Sequence, residues 1–328
     1  MKYRNLGKTG YKISEISLGT WQVGGKWGSG FDDHLAEEIL NTAIDEGVNF
    51  IDTADVYENG MSEKAVGRVV NSRSEEIIVA TKCGRQINPH VNEGYTVKAL
   101  RQYVEESLKR LNFETLDLIQ LHCPPTEVYY RPEIFGLFED LKKEGKIKNL
   151  GVSVEKIEEG IKALEFDNVA SVQIIYNLFR QRPNEIFFRE AEKKNVGVIV
   201  RVPLASGLLT GKFDQDTTFD QEDHRNFNRE GEVFDKGETF AGIPFEKGLE
   251  AVEDLKKIFP KIDNLAPVAL QWILTDPAVG CIIPGASRKQ HLLSNLSVFD
   301  RDALTSEEID KMNTIYKTQI KKYVHQRW

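Results

Sequence analysis

Residues 77–122 read IIVATKCGRQINPHVNEGYTVKALRQYVEESLKRLNFETLDLIQLH. Two short runs rich in β-branched residues, Ile77–Lys82 and Leu116–His122, flank a stretch with a different rhythm. Within it Val97, Leu100, Val104, Leu108 and Leu111 recur every three or four residues and so line one face of a helix. The flanking runs are compactly apolar instead of alternating. Such runs suit strands covered on both faces, as in a parallel sheet whose helices lie outside it. The segment is one strand–helix–strand unit.

The same unit recurs outward from it in both directions. Further strand runs are Ile16–Thr20, Val48–Asp52, Leu150–Val154, Val172–Tyr176, Gly197–Val202 and Val279–Pro284. Leu35, Ile39 and Ala43 mark the helix between the first two strands, with Gly47 as its stop. Ile157, Ile161 and Leu164 mark the helix after the fifth, with Ser153 as the expected N-cap. Eight such units predict an α/β fold closed into a (β/α)8, or TIM, barrel. No Pro/Ser-rich linker interrupts the chain, so residues 1–328 are expected to form a single domain.

Three segments fall outside the repeat. Tyr3–Glu15 reads as an N-terminal β-hairpin with its turn near Gly7–Gly10, placed to close the barrel floor. Thr305–Tyr316 reads as an extra C-terminal helix, followed by a tail to Trp328. Asp214–Gly242 is polar, mostly acidic and without helical period; so long a loop serves as a lid or binding loop, or is disordered.

Composition narrows the function. The net charge of −8 repels phosphate backbones and argues against a nucleic-acid partner. No run approaches the roughly 18 apolar residues that span a bilayer, and MKYRNLGKTG lacks the apolar core of a signal peptide. Cys83, Cys123 and Cys281 lie far apart with no C-x-x-C pair, so neither a metal site nor a disulfide framework is expected. A reducing, cytoplasmic location fits. Oligomeric state leaves no readable pattern.

In a barrel of this kind chemistry gathers where strands end and loops begin. Asp52 closes VNFID, Lys82 closes IIVATK, His122 closes LDLIQLH, and Tyr57 follows Asp52 in the next loop. The set suits reduction of a carbonyl: hydride delivery leaves an alkoxide that needs a proton donor. A free phenol titrates near 10, and a Lys82 ammonium beside Tyr57 is expected to lower that value. Asp52 would keep Lys82 charged, and His122 would hold the carbonyl oxygen. Singly, each has a plainer reading as a helix cap, a solvated lysine or a satisfied buried histidine. Together, at consecutive strand ends, they read as a site.

Rival chemistries fit less well. Glycoside hydrolysis needs two carboxyl groups flanking the bond, whereas the fourth strand ends in His122 and the seventh in Arg201. His34, His90, His224, His291 and His325 are too scattered for a zinc hydrolase. No G-x-G-x-x-G follows a strand, so no Rossmann site is indicated, and Gly25 stands where a P-loop needs its lysine. Gly24–Gly30 reads instead as a flexible loop at the substrate mouth.

NFIDTADVYENGMSEKAVG resembles the signature of the aldo-keto reductase family, including its G-x-S-E segment at Gly60–Glu63. IVATK and LIQLH resemble that family's lysine and histidine strands, and the likeness runs in order over about residues 1–300. It implies reduction of a small-molecule aldehyde or ketone by NADPH, with Asp52, Tyr57, Lys82 and His122 as the catalytic set and no metal. Ser153 and Gln173 would bind the carboxamide, with Thr20, Trp21, Asp52 and Arg201 around the nicotinamide. Leu204, Ser206, Gly207, Leu209 and Lys212, in PLASGLLTGKF, would hold the pyrophosphate. Gly285, Ser287, Arg288 and Asn295, in PGASRKQHLLSN, would hold the adenosine phosphate, and an arginine there favours NADPH. Trp21, Trp27, Tyr57 and His122 would meet substrate.

Three positions depart from the family pattern. Val154 stands where many members have Asn, Ser294 where a glutamate often meets adenine, and Arg201 where an aromatic ring commonly stacks on the nicotinamide. Arg201 is expected either to face that ring, repelling its oxidised form, or to pair with an acid of the long loop. Some relatives serve as regulatory subunits of potassium channels, which leaves a non-catalytic alternative.

Overall fold

Residues 1–25 and 30–328 are described in a computed structural model of the chain. Trp27, and most of the Gly24–Gly30 loop, lie outside the described residues. The chain opens with a hairpin, β1 (Tyr3–Asn5) paired antiparallel to β2 (Lys12–Ser14). Then come β3 (Leu18–Gly19), β4 (Phe50–Asp52), β5 (Ile78–Cys83), β6 (Leu116–His122), β7 (Ile147–Ser153), β8 (Val169–Ile175), β9 (Gly197–Arg201) and β10 (Val279–Ile282). These eight lie side by side in chain order, every neighbouring pair parallel.

Isolated parallel bridges, Ile16 to Ile282 and Gly19 to Gly285, bring the two edges together and all but close the barrel. Gly19 is required at that seam, because a Cβ there would sit 2.7 Å from the Ile283 carbonyl oxygen. The hairpin plugs the floor. Leu6 and Ile13 are fully buried against Phe50, Ile78, Ala80, Leu118, Ile199 and Cys281, which point into the barrel. The strands are largely apolar because their outer faces meet helices and, toward the floor, their inner faces meet this plug.

Helices fill the connections as the periodicity predicts. Asp33–Asp45 is capped by the Asp32 side chain and stops at Gly47, whose φ is 88°. Val97–Leu111 is capped by Thr96 and buries Leu100, Val104 and Leu111. Ser153, however, caps nothing. It still belongs to β7, paired with His122 and Gln173, and the helix Ile157–Ala163 begins four residues later. The Glu159 carboxylate holds that helix start by accepting the backbone N–H groups of Glu155 and Lys156, both at 3.0 Å.

The C-terminal helix Ser306–Ile315 continues through a wider turn, Tyr316–Ile320, into Lys321–Val324. The tail beyond is docked, with Trp328 only 5% exposed. The segment 214–242 folds into short turns, His224–Phe227, Lys236–Glu238 and Phe240–Gly242. Its Phe219 and Phe240 pack with Phe213 and Phe245, and Arg225 lies 4.5 Å over the Phe219 ring. Those aromatics let so polar a segment fold back on the barrel mouth. No helix among the described residues is long and apolar enough to cross a membrane.

Candidate active site

The pairing of β4 with β5 does not stop at Asp52. Thr53 N–H donates to the Ala80 carbonyl (2.8 Å) and Asp55 N–H to that of Lys82 (3.3 Å). The chain then turns sharply, with Glu58 and Asn59 at φ 45° and 53°, and returns Tyr57 over Lys82. The G-x-S-E segment braces this turn. Gly60, at φ 84°, leaves room for Arg110, whose Cδ would lie 2.5 Å from a Cβ. Ser62 Oγ reaches Thr20 Oγ1 (2.8 Å) and Thr53 Oγ1 (3.0 Å). Glu63 accepts from Thr81 and Arg110. The signature is thus largely a scaffold that locks the ends of β3, β4 and β5 together.

Lys82 uses all three ammonium protons: on Asp52 Oδ1 (2.5 Å), the Thr53 carbonyl (2.8 Å) and the Tyr57 hydroxyl (3.0 Å). The other Asp52 oxygen accepts from Gln173 (2.8 Å) and Gln120 (3.0 Å). His122 meets the Tyr57 ring edge-on, centroids 6.0 Å apart. The four residues read from strand ends are therefore brought together. Gln120, which no sequence argument singled out, closes the network from inside β6.

Burial works against the Lys82 ammonium, yet Asp52 and the Tyr57 oxygen outweigh it and hold its pKa above the ordinary value. Burial, with Lys82, Arg85 and Arg201 nearby, pushes His122 well below its usual range, so its ring is neutral at pH 7. Lys82 does act to lower the Tyr57 pKa, as expected, but the net shift is upward. Burial raises it, and Lys82 opposes that rise only in part because Asp52 offsets its charge. Tyr57 therefore keeps its proton at neutral pH.

Tyr57, His122 and Asp52 open onto a cavity of about 1220 Å³ that also takes in Thr20, Trp21, Gln173, Arg201, Leu204, Ser206, Gly207 and Lys212. Its far end is lined by Gly285, Ser287, Arg288, His291 and Asn295. Two of the residues expected to hold the cofactor are not on its wall. Ser153 faces back toward Cys123 Sγ, 3.5 Å away. Leu209 is fully buried in the core, and its N–H is spent on the Leu204 carbonyl at 3.1 Å. Gln173 lines the cavity, but its amide donates to Asp52. Among the described residues, Lys212 and Arg288 at the far end form no ion pair, and beside the burial of His291 both act to lower its pKa. That concentration of uncommitted positive charge suits a phosphate.

One wall was not foreseen. Arg85 lies 3.2 Å from Glu155 and 3.7 Å from Glu238, and Arg201 lies 3.4 Å from Glu238. Of the two expectations for Arg201, pairing with a loop acid is the observed one; its Nη2 also donates to the Val154 carbonyl at 3.1 Å. Burial and the neighbouring Glu238 push Glu155 up to about 7. Cys123, Glu155 and Glu238 approach within 4.8 Å of one another, but the two guanidiniums already balance these carboxylates. Arg85 and Glu155 each stand two residues past a strand end, so a longer look beyond each strand would have found them. Glu238 carries no such signal, because only the folded loop brings it in.

A parallel (β/α)8 barrel with an elongated, partly basic cavity at its C-terminal mouth defines a class of ligand-binding barrel. Within that class the chain belongs to the aldo/keto reductase family, whose model matches residues 15–317. It is 32% identical over 329 residues to the aldo-keto reductase YhdN of Bacillus subtilis (strain 168), covering 98% of this chain and 95% of that protein. It is 29% identical over 339 residues to a probable voltage-gated potassium channel subunit beta of Arabidopsis thaliana, covering 98% of each. Among solved structures it resembles a glycerol dehydrogenase of Gluconobacter oxydans, with a TM-score of 0.77, 30% identity, and 97% and 96% of the two chains covered. A holo-form aldo-keto reductase of Bacillus halodurans gives a TM-score of 0.76 at 26% identity, with 96% of each chain covered. Family and fold support an oxidoreductase of carbonyl compounds in general.

Proposed function

We propose that the protein reduces an aldehyde or ketone to an alcohol with NADPH, with Tyr57 as the general acid. The observation that carries this reading is the Asp52–Lys82–Tyr57 chain of hydrogen bonds, 2.5 and 3.0 Å long, ending at the cavity beside His122. When bound, NADPH supplies the hydride. Neutral His122 and protonated Tyr57 both donate to the carbonyl oxygen, and Tyr57 gives up its proton as the alkoxide forms. Lys82 stabilises the phenolate left behind, and Asp52, fixed by Gln120 and Gln173, keeps Lys82 aimed. Lys212, Ser287, Arg288 and Asn295 would hold the phosphate and adenosine end. Residues 1–328 act in this reading as one catalytic domain.

Two measurements test it. Tyr57→Phe should lower kcat at least about a hundredfold, on the order of 3 kcal/mol, with NADPH affinity little changed. Arg288→Ala should weaken NADPH by about 2 kcal/mol and leave NADH nearly unaffected. Near-normal turnover in the first variant sinks the acid role, and equal losses for both cofactors sink the phosphate role. The plant relative named as a probable channel subunit supports a second, regulatory reading. Absence of steady-state turnover with a panel of simple aldehydes would favour it.

A further inference from the structure

The wall of the cavity formed by residues 234–238 is held from behind by the C-terminal tail. Phe234, Asp235 and Glu238 line the cavity, as does Glu155. Trp328 does not line it. Its ring lies instead against the outer side of the same segment, where a Cβ on Gly242 would come within 2.4 Å of the ring and one on Gly237 within 3.0 Å. The indole N–H donates to Asp235 Oδ1 at 2.8 Å, and the same oxygen accepts the Gly237 N–H at 2.7 Å. The Trp328 carbonyl accepts from Arg182 at 2.5 Å.

The indole also carries a guanidinium. Arg180 lies 4.0 Å over the ring and donates to the Glu155 carbonyl at 3.1 Å. One side chain thus ties together two pieces of wall distant in sequence, the loop at Asp235 and the residues after β7 at Glu155. The loop has anchors besides Trp328: Asn228 Oδ1 accepts the Val233 and Phe234 N–H groups, both at 2.9 Å, and the Phe234 ring meets Trp21 with centroids 6.2 Å apart. The Glu238 backbone carbonyl accepts from Ser206 Oγ at 3.1 Å. The Glu238 carboxylate meets Arg201 and Arg85 only at 3.4 and 3.7 Å.

We propose that Trp328 is a positioning residue for the cavity: through Asp235 and Arg180 it holds the 234–238 wall in place and so governs how firmly cofactor and substrate are retained, without touching either. The ligand part rests on the proposed NADPH-dependent reductase. A loosened wall costs retention, since the groups facing the ligand must then be ordered at each binding event. It costs little in the chemical step, because the Asp52–Lys82–Tyr57 chain is built on β4, β5 and their turn, away from the tail.

The test compares Trp328→Ala and Trp328→Phe with the full-length wild type in two separate arms. Without cofactor, trypsin should cut at Arg225, Arg229 or Lys236 about tenfold faster in the Ala variant, while the rest of the chain stays intact. With cofactor, the Ala variant should show about tenfold weaker NADPH binding by fluorescence titration and a raised KM for a simple aldehyde, with kcat within about threefold. The Phe variant, which keeps a ring for Arg180 but loses the N–H to Asp235, should recover only part of both effects. Cutting rates and NADPH affinity within about twofold of wild type in the Ala variant would overturn the proposal. So would cuts spread through the whole chain, which would mark a global structural role. If wild type neither binds NADPH nor reduces any aldehyde, the functional reading fails, while the protease arm still decides the role of Trp328.

Discussion

Asp52 and Asp55 stand one turn apart in the chain and are equally buried, each 1% exposed. Asp52 lies inside the barrel mouth, where strand ends converge and Lys82, Gln120 and Gln173 all reach it. Asp55 lies in the layer between strands and helices, and among the described residues neither of its oxygens has a partner. Burial, with Glu63 close by, pushes Asp55 up to about 8, so it holds its proton at neutral pH. The difference shows what the barrel supplies. Convergence of strand ends brings donors to a buried carboxylate, and one step outward the carboxyl must be neutralised instead.

The sharpest way to break this comparison is to delete each group. Asp52→Leu leaves the Lys82 ammonium buried without its counter-ion and should cost about 3–5 kcal/mol of stability. Asp55→Asn removes a carboxyl that must take up a proton on folding at pH 7, so it should raise stability there rather than lower it. Denaturant midpoints read both, and equal losses would show that the two sites do not differ as described.

A second test uses pH. Because the folded pKa of Asp55 lies above its ordinary value of 3.8, at about 8, the folded state binds more protons between those values. Its contribution to stability is complete below the unfolded pKa and is lost as pH rises through about 8, at up to about 1.4 kcal/mol per pH unit. Glu155 acts in the same direction up to about 7. Asp55→Asn should therefore make the fall of stability between pH 7 and 8 shallower by about 1 kcal/mol per unit. An unchanged slope would mean that a partner or water satisfies Asp55.

Arg201 lies between these extremes, with its Nη atoms partnered and its buried Nε without a partner among the described residues. Because Glu238 offsets its charge, Arg201→Met should change the ratio of NADP⁺ to NADPH dissociation constants by less than about threefold. A fall beyond about tenfold would show the guanidinium acting on the ring as an unscreened cation.

The legible parts of this molecule were those where neighbours in sequence remain neighbours in role. All eight strands were readable because burial on both faces leaves compact apolar runs such as IIVATK and GVIVRV. Asp52, Tyr57, Lys82 and His122 were readable because strand ends mark the mouth of a barrel. Gln120 was hidden because its position inside β6 looks like an interruption of an apolar run; only the closed barrel turns it toward Asp52. Glu238 and Trp328 were hidden because their partners come from strands and turns remote in sequence. Ser153 was misplaced as a cap because β7 runs on through it. The rise in the Tyr57 pKa depends on how burial, Lys82 and Asp52 balance, which no spacing records.

The floor of the barrel sets the order in which the chain can mature. Arg4, in the first strand of the hairpin, donates to the backbone carbonyls of Leu274 (2.8 Å), Asp276 (3.0 Å) and Val279 (2.8 Å), and Leu6 plugs a space walled by Cys281. During synthesis those partners emerge only after most of the chain has been made. Until then the hairpin has nothing to seal, β3 and β9 are open edges, and such edges invite pairing with another chain. The same contacts that make the finished barrel leakproof thus expose its nascent form to aggregation until the eighth strand is in place.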